Sequence, residues 1–232
     1  MSLNLEAPKM KLGSDVDDVL LDTAPLTIQM HNEQYGTRLT LEEWYNAEHT
    51  LDLWKTDTLQ QAFDQVNVIL GSDEFIERVE PVKGVMGVIE EAGDIDGVTG
   101  RPHWLKDATF RSLARHIPGQ FGRGNIDFTD FGGSRHVSKV VIAQREGFTN
   151  FVEDLPKHAN ELAVAGFRTV LFGKNPWTRP GVYHGISREI HPDLITAGDH
   201  DALREFLVDE KARLASLAPG EKIPMNAGKR HY

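Results

Sequence analysis

Two patterns of hydrophobic and polar positions divide the chain. The later part alternates short apolar runs with stretches of helical spacing, whereas the part before it is helical and rich in aromatic residues. The pattern predicts strands over 94–99, 125–128, 148–152 and 168–172, and helices over 104–116, 137–144, 156–166 and 201–217. This alternation is typical of a parallel sheet that is covered by helices.

The stretch over 23–81 contains no strand-like run. Pro25 marks the first turn of a helix that runs to about Tyr35. A further strand is predicted before this stretch, and it ends at Asp15. Because the helical stretch follows that first strand, it should lie over the carboxyl edge of the sheet, where it can act as a lid. We therefore predict a Rossmann-like three-layer α/β core over 10–22 and 82–218, a small helical cap over 23–81 and a loosely held tail over 219–232.

Composition narrows the class of protein. The chain has 232 residues, of which 40% are apolar and 26% charged, and no stretch approaches the ~20 consecutive apolar residues that span a membrane. Residues 1–11 lack the apolar segment of a secretory signal, and the absence of Cys excludes disulfides, thiolate nucleophiles and Cys-ligated zinc, which fits a cytoplasmic protein. A net charge of −10 argues against polymeric nucleic acid as a partner, and a phosphate-bearing small molecule would need a local cation.

Three carboxylates, those of Asp15, Asp17 and Asp18, lie within four positions at the end of the first predicted strand. Like charges this close repel, and each ionises at a cost unless a cation or proton compensates. In an extended segment Asp15 and Asp17 point to the same side, and two oxygen ligands at the carboxyl end of a strand suit a hard cation such as Mg²⁺. The alternative is a polar strand-to-helix turn with solvated carboxylates.

Further polar residues follow other predicted strands. Thr99 ends the second strand, Glu153 and Asp154 follow the fourth, and Lys139 lies on the helix after the third. Because the carboxyl ends of parallel strands meet at one edge, we expect these side chains to converge with the first carboxylates. Each also has a plainer interpretation, since Thr99 suits a helix cap and Glu153 and Asp154 suit the start of a helix.

The order of these motifs resembles that of the haloacid dehalogenase-like superfamily: Asp-x-Asp-x-Val, a strand that ends in Thr, a lone Lys, and a strand that ends in Glu-Asp. The segments 15–22, 31–36, 98–102 and 175–179 are similar to those of the 5′(3′)-deoxyribonucleotidases and their uncharacterised bacterial relatives. The resemblance covers about 11–191. It implies a Mg²⁺-dependent phosphomonoesterase.

The resemblance also implies catalytic roles. Asp15 would attack phosphorus and become an aspartyl-phosphate, and Asp17 would act first as general acid and then as base for the attacking water. Thr99 and Lys139 would hold the phosphoryl oxygens in the transition state. Spacing alone does not separate this lysine from Lys106 and Lys157.

Binding roles follow from the same resemblance. Phosphate and substrate would be bound by Thr99, Gly100, Arg101 and Lys139, although Arg101 has the alternative of capping a turn. The Mg²⁺ ion would be held by Asp15, Asp17, Asp154 and Glu153, where Asp17 would use its main-chain carbonyl and Glu153 would act through water.

The substrate is less closely defined than the chemistry. The resemblance favours nucleoside 5′-monophosphates, including deoxy forms, as the small-molecule partner. A sugar phosphate or another small metabolite is the alternative, and a catalytically silent binding protein is a third; a homodimer is left open. The aromatic residues of the helical stretch either stack on a nucleobase or form its core: Trp44, Tyr45, Trp54 and Phe63.

Overall fold

The computed structural model describes residues 9–44, 50–122, 124–131, 133, 135–179, 181–183, 186–188 and 190–218; for 181–183 and 186–188 it describes the backbone. Tyr45 and the predicted tail 219–232 lie outside these residues. In the part of the chain that is described, no helix combines the length and the apolar character that a membrane span requires.

The strands are β1 (Leu12–Ser14), β2 (Ile95–Thr99), β3 (Ile126–Phe128), β4 (Asn150–Glu153), β5 (Arg168–Phe172), β6 (Gly181–Tyr183), β7 (Ile186–Arg188) and β8 (Ile195–Ala197). Six of these strands are parallel and form the central sheet, in the order β3-β2-β1-β4-β5-β8. A separate antiparallel pair, β6 and β7, follows β5 along the chain.

Helices cover both faces of this sheet, so the predicted three-layer α/β Rossmann-like architecture is confirmed. The helices are α1 (Thr23–Tyr35), α2 (Leu41–Trp44), α3 (Leu59–Leu70), α4 (Asp73–Arg78), α5 (Val85–Ala92), α6 (Lys106–His116), α7 (Lys139–Glu146), α8 (Pro156–Val164) and α9 (His200–Ala215). Helices α7 and α8 pack on one face, and α5, α6 and α9 pack on the other.

The short central strand β1 owes its small residues to close packing. A Cβ atom on Gly13 would lie 2.7 Å from ring atoms of both Phe148 and Phe151, so only glycine fits at this position. Ser14, the last residue of the strand, is buried as well. The phenylalanines can therefore fill the face under α7 and α8 while β1 runs between β2 and β4.

Helices α1 to α4 occupy the stretch over 23–81, which we call the helical insertion. Its two ends lie side by side: the Asp22 N–H donates to the Glu80 carbonyl at 2.8 Å, and the Val82 N–H donates to the Leu20 carbonyl at 3.0 Å. The insertion thus leaves and re-enters the α/β part at one place, directly after β1. Its apolar residues join the main core and also form a small cluster of their own, which contains Ile28, Leu39, Trp54 and Ala62.

Candidate active site

The predicted site residues meet at the carboxyl edge of the sheet. Asp15 follows β1 directly, Thr99 ends β2, and Glu153 ends β4. Because β1 lies between β2 and β4, Asp15 lies between the ends of these two strands. Lys139 is the first residue of α7, and its side chain reaches the same edge of the sheet, where it contacts Asp15.

Lys139 joins two of the carboxylates. Its ammonium lies 2.7 Å from Asp15 Oδ2 and 2.6 Å from Glu153 Oε2, and all three residues are buried. The second oxygen of Asp15 accepts the Val16 N–H at 2.7 Å, and that of Glu153 accepts the Leu155 N–H at 3.1 Å. Both carboxylates are therefore fixed in orientation, and Lys139 is the lysine at the site.

Asp17 is held by a different set of donors. Arg101 Nη2 lies 2.7 Å from Asp17 Oδ1, and its Nε lies 3.2 Å from both carboxylate oxygens. The Thr23 hydroxyl donates to Oδ1 at 2.8 Å and the Thr99 hydroxyl to Oδ2 at 3.2 Å. The Arg101 guanidinium therefore does not cap a turn. It is buried, pairs with Asp17 and donates to the Thr109 hydroxyl at 3.2 Å.

The sequence argument that Asp15 and Asp17 share one side of an extended segment is wrong. Strand β1 ends at Ser14, and the chain then turns, because the Leu20 and Leu21 N–H groups both donate to the Val16 carbonyl. The two carboxylates consequently face different cations.

Asp18 completes this turn in a left-handed conformation, with a φ of 59°. Its Oδ1 accepts the Thr23 N–H at 3.1 Å and the Ala24 N–H at 2.9 Å. The side chain therefore caps the first turn of α1, which ties the start of the helical insertion to the site.

Together, Asp15, Asp17, Asp18, Glu153 and Asp154 form what we call the acidic site. Two described cations, Lys139 and Arg101, contact it, so five carboxylates face two positive charges. The imbalance shows in the pKa values. Burial, with the nearby Glu153 charge, raises the pKa of Asp15 from 3.8 to about 7 and that of Asp154 well above its usual range.

Two residues keep their charge in these surroundings. Burial would raise the pKa of Asp17, but the Arg101 guanidinium holds it below its usual range. Burial likewise opposes the charge on Lys139, whereas Asp15 and Glu153 raise its pKa above the usual range. Full ionisation of the five carboxylates would therefore need a further cation, and without one Asp15 and Asp154 retain protons more readily than ordinary carboxyl groups.

Three of the carboxylates are placed to hold such a cation. One oxygen each from Asp15, Glu153 and Asp154 lies within 4.8 Å of the others, and all three residues are buried. Oxygen ligands of this kind suit Mg²⁺. The Asp17 carboxylate does not belong to this group, because it is paired with Arg101.

Asp154 is positioned by a residue that sequence reasoning did not assign. The Trp177 indole N–H donates to Asp154 Oδ2 at 2.7 Å, and both residues are buried. Trp177 follows β5 at the same edge of the sheet, so its position after a predicted strand was the available signal. The Trp177 N–H thereby orients Asp154 Oδ2, and metal ligands are usually held in place by hydrogen bonds of this kind.

Replacing Trp177 with Phe should weaken Mg²⁺ binding by roughly tenfold, because Asp154 loses the donor that orients it. A calorimetric Mg²⁺ titration measures the effect. Trp104→Phe is the matched control, since Trp104 is 65% exposed. Equal affinities in the two variants would mean that Trp177 does not support the ligand.

A cavity of about 330 Å³, which we call the side cavity, opens next to Lys139 between the β3–α7 loop and the first turns of α8. His158 lines it, and burial together with Lys139 lowers the His158 pKa from 6.5 to about 4, so its imidazole is neutral at pH 7. Its Nδ1 is buried and has no hydrogen-bond partner among the described residues.

The aromatic residues of the helical insertion are mostly core. Trp54 is only 2% exposed and packs against Trp44, with ring centroids 5.0 Å apart, so it is not free to stack on a base. Phe63 instead meets Phe131 of the β3–α7 loop edge-on, at 5.8 Å and 85°. Phe63 thereby reaches the rim of the side cavity.

Solved structures share this fold. A haloacid dehalogenase-like protein of unknown function from Agrobacterium tumefaciens is similar, with a TM-score of 0.60 and 14% identity over 88% of this chain and 99% of its own. A phosphonoacetaldehyde hydrolase-like protein from Oleispira antarctica gives 0.59 and 15% over 96% and 99%. A haloacid dehalogenase-family hydrolase from Deinococcus radiodurans, with bound phosphate and sodium, gives 0.55 and 16% over 92% and 100%.

No family model matches the sequence, and no curated protein does. At these identities the similarity establishes the haloacid dehalogenase-like fold. The structural similarity does not show the particular likeness to deoxyribonucleotidases.

Proposed function

We propose that the chain is a Mg²⁺-dependent phosphomonoesterase that works through an aspartyl-phosphate on Asp15. The observation that carries the proposal is the setting of the Asp15 carboxylate. It lies buried at the carboxyl edge of a parallel sheet, is oriented by Lys139, and stands beside two further carboxylates that can share a cation with it. The phosphate bound to the Deinococcus hydrolase of the same fold supports this chemistry.

The residues of the acidic site fit a divalent cation. With five carboxylates against Lys139 and Arg101, full ionisation of the site would leave three negative charges uncompensated, and three ligand oxygens already converge. Asp15, Asp154 and Glu153 would hold the ion, together with the Asp17 main-chain carbonyl. When bound, Mg²⁺ would neutralise charge on the phosphoryl oxygens and lower the pKa of Asp15, which favours the nucleophilic carboxylate.

Asp15 would attack phosphorus with a carboxylate that the Val16 N–H orients through Oδ1 and Lys139 orients through Oδ2. Thr99 and Lys139 would donate to the phosphoryl oxygens as charge redistributes. Arg101 would also donate to the phosphoryl oxygens. Gly100 leaves room beside Arg101, because a Cβ atom on Gly100 would meet nothing closer than Phe131 Cβ at 3.9 Å.

Asp17 would move the proton. Its carboxylate bonds to Thr99 and Arg101, the same donors that phosphoryl oxygens require. A bound phosphoryl group would compete for these donors and weaken their hold on Asp17, so the pKa of Asp17 would rise. It would then donate to the leaving alkoxide and, once ionised, accept a proton from the water that hydrolyses the aspartyl-phosphate.

The metal requirement predicts a pH dependence of stability. Because burial raises the Asp15 pKa from 3.8 to about 7, protonated Asp15 stabilises the metal-free fold at low pH, and this stability is lost as the pH rises from about 4 to 7. We expect the thermal midpoint in EDTA to fall over this range, and Mg²⁺ to restore it at pH 8. A midpoint insensitive to Mg²⁺ at pH 8 would argue against the metal site.

Phosphate release from a panel of nucleoside monophosphates and sugar phosphates, with Mg²⁺ and with EDTA, tests the proposed function. Mg²⁺-dependent release is the expected result. Preference for nucleotides would support the deoxyribonucleotidase-like interpretation, and preference for sugar phosphates would support the alternative. Absence of release from every ester, with Mg²⁺ bound, would contradict the proposal and favour a binding protein.

A further inference from the structure

The side cavity adjoins the groups that would bind the phosphoryl group. Lys139 forms part of its wall and contacts Asp15 at 2.7 Å. On another side the β3–α7 loop lies against the Thr99 turn, since the Thr129 N–H donates to the Thr99 carbonyl at 2.9 Å. A phosphate ester held by Lys139 and Thr99 therefore has this cavity next to it.

The wall of the cavity is anchored. The Phe131 N–H donates to the Gly100 carbonyl at 3.1 Å. The Asp130 carboxylate accepts the His103 N–H at 3.3 Å and the Arg135 N–H at 3.2 Å. Phe131 is consequently held in place at the cavity rim, where it is 42% exposed.

The cavity offers many unused hydrogen-bonding groups. Among the described residues, none makes a hydrogen bond with the Thr129 hydroxyl, the His158 imidazole, the Lys157 ammonium or the Glu161 carboxylate, while these groups line one space. Together they supply donors and acceptors in a cavity whose rim also carries the exposed Phe131 ring.

We infer that the side cavity binds the leaving group of the substrate and is suited to a hydroxyl-rich one, so that the preferred substrate is the phosphate ester of a sugar or polyol. This inference rests on the proposed phosphomonoesterase activity. Vicinal hydroxyl groups both donate and accept, as Glu161, Lys157 and His158 do together, and the C–H face of a sugar can pack on Phe131.

Charge and ring geometry favour this class over two others. Lys157 and Glu161 lie one turn apart on α8 with opposite charges, so they provide no net charge for a second phosphate or a carboxylate. A nucleobase is held best between two facing rings, but Phe63 meets Phe131 edge-on at 85° and Trp54 is buried, so these three residues do not form such a pair.

The test compares Glu161→Gln with the matched control Glu205→Gln, which lies exposed on α9. The substrates are AMP, p-nitrophenyl phosphate, and the best of a set of hexose, pentose and polyol monophosphates. In Glu161→Gln we expect kcat/KM for the sugar or polyol ester, relative to that for p-nitrophenyl phosphate, to fall about tenfold through KM. In the control this ratio should be unchanged.

Two results would overturn the inference. One is an equal change for all substrates in Glu161→Gln. The other is a preference for AMP that Phe131→Ala removes, because it would assign the cavity to a base.

A binding arm separates failure of the subsite from failure of the activity. Asp15→Asn protein, with and without Glu161→Gln, is titrated calorimetrically with the sugar or polyol phosphates and with inorganic phosphate. Binding that depends on Glu161 for these esters alone would uphold the cavity even if the wild-type protein released no phosphate. Binding of the esters no tighter than inorganic phosphate would overturn the cavity assignment even if turnover were present.

Discussion

Asp15→Asn is expected to lower Mg²⁺-dependent phosphate release at least about a thousandfold, because an amide cannot form the aspartyl-phosphate. The same change should raise the thermal midpoint of the metal-free protein at pH 8. Asp15 is buried beside Glu153, and its raised pKa of about 7 means that its charged form destabilises the fold. Loss of activity would thus accompany a gain in stability.

This opposite pair of effects distinguishes a catalytic carboxylate from a structural one. Asp57→Asn is the matched control, since Asp57 is exposed in the helical insertion and should leave both quantities unchanged. Steady-state phosphate release and thermal unfolding in EDTA measure them. Activity within tenfold of the wild type in Asp15→Asn would rule out the covalent mechanism.

Lys139→Met is expected to have the second largest effect. The variant leaves the buried carboxylates of Asp15 and Glu153 without the ammonium that lies 2.7 and 2.6 Å from them. Removing one partner of a buried ion pair costs roughly 3–5 kcal/mol, and loss of a phosphoryl donor about a hundredfold in rate. We expect both losses, measured by denaturant unfolding in EDTA and by kcat at saturating Mg²⁺.

Lys106→Met provides the control for this variant. Lys106 is exposed and its ammonium lies 5.7 Å from the centre of the Phe110 ring, a contact worth about 0.5–1 kcal/mol. Similar stability and activity in the two variants would show that Lys139 has no special role.

Much of the sheet could be predicted from local pattern. The strand 168–172 and the end of α1 at Tyr35 agree with the structure, because apolar runs and a glycine after the last helical residue are local signals. Strand β8 and helix α5 were not predicted. Strand β8 has only three residues, too few to show an alternation of apolar and polar positions, and helix α5 is interrupted by Gly87.

The site was harder to predict where tertiary contacts decide. Which lysine reaches Asp15 depends on where α7 begins relative to the sheet, and spacing along the chain does not contain that information. The pairing of Arg101 with Asp17 joins residues 84 positions apart. Trp54 was a candidate for base stacking because it is aromatic, but burial in the helical insertion decides its role.

The aspartyl-phosphate mechanism is tested most directly by looking for phosphate on Asp15 during turnover. Wild-type protein with Mg²⁺ and its best phosphate ester is quenched in acid within a few turnovers, and its peptides are analysed by mass spectrometry. We expect one added phosphoryl group on the peptide that contains Asp15, lost on hydroxylamine treatment and absent from Asp15→Asn protein. Continued release of phosphate with no such adduct at any quench time, and with release retained in Asp15→Asn, would contradict the aspartyl-phosphate mechanism.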